Sequence, residues 1–156
     1  MRNAVIRRVC LAAATCLLSS FVVLGWLLPA AHNAVSYWKA DLVAKCVAED
    51  LCSARHLAQL RSCKQTVEFD VDKDRYVVPN LSDGAVTRTC LSLKEWPYCA
   101  SVVAADFNGH PTVTFNGWGI ASEAGEVVID VGGHRRHVRL EPTLGRISIS
   151  STLKGR

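Results

Sequence analysis

The chain has 156 residues, 49% of them hydrophobic and 21% charged, and a net charge of +4. That length holds one compact domain with at most one accessory segment, which excludes a multidomain enzyme. The composition excludes collagen-like, coiled-coil and wholly disordered chains. Seven cysteines are too few for a disulfide-stapled mini-protein of this length.

Arg2, Arg7 and Arg8 lead into a charge-free run of 23 residues, Val9 to Ala31, and the first acid is Asp41. Cations ahead of an apolar run are the pattern of an export signal whose amino terminus stays inside. As a helix the run is roughly 35 Å long, enough to cross a hydrocarbon layer of about 30 Å. Two export readings stand, a retained single span, which is preferred, and a cleaved export signal; a buried helix of a soluble domain is the remaining alternative. Candidate cleavage sites place Pro29 or His32 at the −3 position, where a small residue is expected. Under either export reading the remainder of the chain lies outside the cytoplasm. The expected division is a basic cytoplasmic leader (1–8), a transmembrane segment (9–31), a helical continuation (32–63) and an antiparallel β domain (64–156).

Beyond the run, Val35, Trp38, Leu42, Val43, Cys46, Val47, Leu51, Ala54, Leu57 and Ala58 recur at three- and four-residue steps. Lys39, Asp41, Lys45, Glu49, Asp50 and Arg55 fill much of the other face. This pattern predicts an amphipathic helix of about seven turns reaching Ser62. No Gly separates it from the apolar run, so one long helix is expected, with Pro29 as the place for a kink.

From Lys64 the period changes to two. Thr66–Val71 reads as a strand, Asp72–Asp74 as a turn, and Arg75–Val78 as the return strand, stopped by Pro79. Asn80 to Gly84 reads as a polar loop. Ser101–Ala105 and Thr112–Phe115 are further strands, and Asn116–Gly119 is a turn. Glu126–Val131 and His134–Leu140 form a hairpin about Gly132-Gly133, and Gly145–Ser150 closes the series. A helix followed by a run of antiparallel strands is α+β and not a dinucleotide-binding alternation.

This layout resembles that of type IV pilins and pseudopilins. Asp50-Leu51-Cys52-Ser53-Ala54-Arg55 is similar to the D-L-x-x-A-R stretch late in the long helix of the GspH/FimT family. Val113-Thr114-Phe115-Asn116-Gly117-Trp118-Gly119 is similar to its V-x-F-x-x-x-G strand and turn, and Gly145-Arg146-Ile147 to its closing G-R-[VI] strand. The resemblance implies a minor pseudopilin or minor pilin: a single-pass protein of the bacterial inner membrane with its sheet domain in the periplasm. It would be a structural subunit of a type II secretion pseudopilus or a type IV pilus, packing against other pilin or pseudopilin subunits near the tip. The prepilin peptidase site is degenerate. With Pro29 fixing the register, Arg7 stands where the family has Gly, and Ala12 stands where it has Glu.

Charge is uneven along the chain. Residues 134–156 carry six cations and one acid, whereas residues 1–133 carry 12 cations and 13 acids. Arg135, Arg136, Arg139 and Arg146 would form a basic edge suited to an anionic partner. Three readings of that edge are open: a solvated edge that discourages strand-to-strand aggregation, an acidic partner subunit, or double-stranded DNA bound through its phosphates. FimT-like relatives make the DNA reading an alternative function, DNA uptake, although Ser148 stands where their second basic-motif Arg would be.

Five cysteines lie beyond the span. Cys46, Cys52 and Cys63 on one helix cannot pair among themselves, because bridged Cα atoms lie within about 7 Å. Cys90 and Cys99 flank a loop containing Trp96-Pro97 and are the expected disulfide. His134 and His137, three apart on a strand, point to opposite faces, which disfavours a shared metal. No Gly-x-Ser-x-Gly, His-Glu-x-x-His or P-loop motif occurs, so no enzymatic activity, metal or cofactor is expected. Trp118, between two glycines, is either a cap on the core or an exposed contact.

Overall fold

Residues 33–61 form the described helix, α1. It stops without a glycine: Ser62 takes a left-handed conformation (φ 49°), and the Cys63 amide donates to the Ala58 carbonyl at 3.2 Å. That five-residue back-reach satisfies a carbonyl the helix end would leave unpaired. The coordinates are a computed structural model in which residues 33–82, 85–142 and 146–151 are described. The chain divides into two compact units, Met1–Val35 and Ser36–Arg156. The expected leader, the apolar run and the Pro29 kink lie outside the described residues. Among the described residues, no helix is long and apolar enough to cross a membrane.

Eight strands follow: β1 (Gln65–Asp70), β2 (Arg75–Ser82), β3 (Ala85–Ser92), β4 (Ser101–Asp106), β5 (Thr112–Phe115), β6 (Gly125–Val131), β7 (His134–Glu141) and β8 (Arg146–Ser151). They form two four-stranded sheets, ordered β3-β2-β1-β5 and β4-β6-β7-β8. Every ladder is antiparallel. The helix and both sheets share one core, with Val43, Val47, Leu51, Val67, Phe69, Tyr76, Val113, Phe115, Val127, Ile129, Val138 and Leu140 all buried. Phe69 stacks between Tyr76 and Phe107, with ring centroids 5.5 and 5.9 Å away.

The first sheet departs from expectation at Pro79. The second strand does not stop there; it runs to Ser82 and pairs along its whole length with β3, a strand absent from the sequence reading. A proline is tolerated because the β1–β2 ladder runs only from Asp70↔Arg75 to Glu68↔Val77. Pro79 therefore has no partner on the β1 side and lies where only β3 flanks β2, an edge position of the kind that accommodates proline. Asn80, Leu81 and Ser82, expected in a polar loop, thus belong to β2.

The expected Cys90–Cys99 bridge is not present; all five described cysteines are free. Backbone bonds close that loop instead. Leu93 N–H donates to the Asp74 carbonyl and Ala100 N–H to the Leu93 carbonyl, each at 2.8 Å. Cys90 lies inside β3, three residues before the point where the loop closes.

Gly125 opens β6 where the chain crosses Asp106 and Phe107. A Cβ there would lie 2.3 Å from the Asp106 carbonyl oxygen and 2.4 Å from the Phe107 ring, and Phe107 is itself buried. Gly125→Ala is expected to cost about 2 kcal/mol through overpacking, read as a lower denaturation midpoint with unchanged slope.

Candidate assembly surface

Three sets of contacts pin α1 to the sheets. Near the start of the second unit, the Ser36 hydroxyl lies where a side chain on Gly132 would go, 2.8 Å from its ideal Cβ. There Gly132, at φ 59°, turns the β6–β7 hairpin against the helix. Arg136 reaches from β7 to the same region. Its guanidinium sits 4.4 Å from the Tyr37 ring centroid and 3.8 Å from the Asp41 carboxylate, and it donates to the Arg135 carbonyl at 3.1 Å. His134 meets the Tyr37 ring edge-on at 5.8 Å. At mid-helix the buried Tyr76 hydroxyl donates to the Asp50 carboxylate. At the far end the Gln59 side-chain amide donates to the Trp118 carbonyl at 3.0 Å, and Gly117 lies against the Ser62 backbone.

These contacts fix which helix face is hidden. Ser36, Ala40, Val43, Ala44, Val47, Leu51, Ala54, Leu57 and Ala58 are buried. Val35, Trp38 and Leu42, expected on the inner face, are exposed instead, Trp38 by 74%. Small residues, Ser36, Ala40 and Ala44, take the inner positions, and at Ser36 the β6–β7 hairpin lies close enough that even a Cβ on Gly132 would sit 2.8 Å from the Ser36 hydroxyl. Trp38, Leu42, Lys45 and Glu49 follow at steps of four, three and four and so share one outward stripe. The charged end of that stripe marks it as solvent-facing, and this signal was present in the sequence. Lys45 is paired to Asp41 at 2.8 Å, and its hydrogen bond is the main cause that holds the Asp41 carboxyl below its ordinary range.

The four arginines of the basic edge are not equivalent. Arg136 is only 4% exposed and points into the helix contact, so it cannot meet a phosphate backbone. Arg135 pairs with Asp130 at 3.4 Å and Arg139 with Glu126 at 2.9 Å. The Arg139 hydrogen bond is the chief reason the Glu126 carboxyl is lowered. Arg146 stands opposite Glu141 in the β7–β8 register. Cross-strand carboxylates thus offset most of the edge that the sequence suggested for DNA. Among the described residues no cluster of His, Cys, Asp and Glu could hold a metal.

One helix laid on two antiparallel four-stranded sheets defines a pilin-like α+β protein. The described chain has the GspH-like minor pseudopilin fold. It is similar to the minor pseudopilin EpsH from the type 2 secretion system of Vibrio cholerae, with a TM-score of 0.54 and 18% sequence identity. The match covers 74% of this chain and 99% of that one. No protein-family model matches the chain, and no curated protein sequence matches it.

Proposed function

We propose that this protein is a minor pseudopilin, a non-enzymatic structural subunit of a type II secretion pseudopilus. The observation that carries the reading is the likeness of its helix-and-two-sheet arrangement to almost the whole of the EpsH chain. The subunit acts by packing with other pseudopilin subunits near the tip. The outward stripe led by Trp38 and Leu42 supplies an apolar surface for that packing on a helix whose opposite face is already committed to the core. The charge-free run Val9–Ala31 serves as the inner-membrane anchor, with residues 36–156 in the periplasm. The degenerate peptidase site suits a subunit with few neighbours, since the missing glutamate would neutralise an adjacent amino terminus.

The double substitution Trp38→Glu with Leu42→Glu tests this in the full chain. Both side chains are largely exposed, so the stability change is expected within about 1 kcal/mol. Site-directed cross-linking to co-expressed pseudopilins is expected to fall at least about tenfold, as for truncated interface anchors. Secretion by the cognate system is expected to fall to the level of a deletion strain. A deletion strain that secretes normally would refute the assignment.

A further inference from the structure

The turn after β5 is built to present one side chain. The Asn116 side-chain oxygen accepts from the backbone amides of Trp118 (3.0 Å) and Ile120 (2.9 Å). Asn116 N–H donates to the Ile120 carbonyl at 2.9 Å, and Gly119 N–H donates to the Asn116 carbonyl at 2.8 Å. Gln59 ties the Trp118 carbonyl to the helix. The two glycines are required by this closeness. A Cβ on Gly117 would lie 2.8 Å from the Ser62 backbone, and one on Gly119, at φ 75°, would lie 2.6 Å from the Gln59 side chain. Every part of the turn is therefore braced except the indole, which is 80% exposed, beside a half-exposed Ile120.

The ground around the indole is cationic. From Cys52 to Val67 the chain carries Arg55, His56, Arg61 and Lys64 and no acid. Ser62, which touches Gly117, has exposed Arg61 on one side, and exposed Lys64 lies two residues beyond. Gln65 pairs with Phe115 in the β1–β5 register, so Lys64 stands level with Asn116 at the base of the turn. The nearest downstream acid, Glu123, accepts a bond from Asn108 at 3.4 Å. It lies beyond Ser122, whose amide bonds the Thr114 carbonyl, and so points along β5 away from the turn.

We propose that Trp118, with Ile120 and the Arg61–Lys64 rim, is a docking surface for a protein segment that offers apolar side chains flanked by carboxylates. A rigidly held aromatic loses little conformational freedom on binding, which is what makes such residues effective anchors. The cationic rim selects acidic flanks and rejects basic ones. This surface is separate from the Trp38–Leu42 stripe and does not depend on assembly into a pseudopilus.

The test uses the full chain in detergent micelles, with empty micelles as the reference. The probes are fluorescent peptides with a Leu-Phe-Leu core flanked by glutamates, serines or lysines, and binding is read by anisotropy. The glutamate-flanked peptide is expected to bind at least about tenfold tighter than the lysine-flanked one and to weaken as salt rises. Trp118→Ala is expected to reduce its affinity at least about tenfold, and Lys64→Glu severalfold. No binding, equal affinity for the three peptides, or affinity unchanged in Trp118→Ala would overturn the proposal. So would concentration-dependent self-association abolished by Trp118→Ala, which would make a second copy the occupant.

Discussion

Arg136→Glu is expected to destabilise the domain by about 3–5 kcal/mol, the range for a buried charge left without compensation. The wild-type guanidinium is nearly sealed from solvent, yet it is supported on three sides: the Tyr37 ring, the Asp41 carboxylate and the Arg135 carbonyl. A glutamate there would face Asp41 and the Arg135 carbonyl, both repulsive, and would lose the attraction of the ring for a cation. Arg136→Met separates charge from packing. It keeps most of the buried stem and leaves Asp41 its partner Lys45, so it is expected to cost only about 1–2 kcal/mol. Chemical denaturation of the two variants gives both numbers. A methionine variant as unstable as the glutamate variant would mean that loss of the guanidinium's own contacts, and not repulsion of an introduced carboxylate, decides this site.

Tyr76→Ala has an expected cost of similar size, about 4 kcal/mol, in the range for truncating a buried aromatic. The ring stacks on Phe69, and its hydroxyl is the donor to Asp50. Tyr76→Phe keeps the stack and removes only the donor, leaving a half-buried carboxylate without it, at a cost of about 1–3 kcal/mol. The pH dependence isolates the carboxylate. Burial is the largest cause raising the Asp50 carboxyl above its ordinary value; the Tyr76 bond opposes this and Glu49 adds to it. The folded state therefore takes up the Asp50 proton more readily than the unfolded chain. Its contribution to stability is full below the unfolded pKa and is lost as pH rises through the folded one. Asp41 and Glu126, both lowered, contribute in the opposite sense, and acid removes their support. Asp50→Asn keeps an acceptor for Tyr76 but cannot titrate. On going from pH 7 to pH 4 the wild type is thus expected to gain stability relative to Asp50→Asn. Wild type losing ground to the asparagine variant on acidification would show that donation from Tyr76 outweighs burial.

The sequence by itself determined the order of elements and most of their limits. Three- and four-residue apolar steps placed the helix, whose described end at residue 61 lies one residue from the expected Ser62. Alternation placed β1, β4, β5, β6, β7 and β8 within one or two residues, because an alternating half-buried strand writes its period into neighbouring positions. Asn116-Gly117-Trp118-Gly119 read as a turn, and the structure adds what braces it, an asparagine side-chain oxygen that accepts from the backbone ahead of it. Only the tertiary structure decided what depends on residues distant in the chain. Pro79 looked like a strand end because its missing donor is a local fact, whereas the absence of a β1 partner opposite it is not. The β3 strand was hidden in the same way: Ala85–Thr89 lay unassigned between the expected polar loop and the cysteine-flanked loop, because a strand's partner is not a local property. Trp38 and Leu42 read as core because hydrophobicity alone does not say which stripe meets a neighbour. The β6–β7 hairpin closing on Ser36 through Gly132 goes with the other choice, in which Ser36, Ala40 and Ala44 face inward. Arg136 read as a surface cation for the same reason. Strand parity gives alternating faces, but which face meets a helix is settled only when the second sheet closes on α1, and there a cation finds Tyr37 and Asp41 in place of solvent.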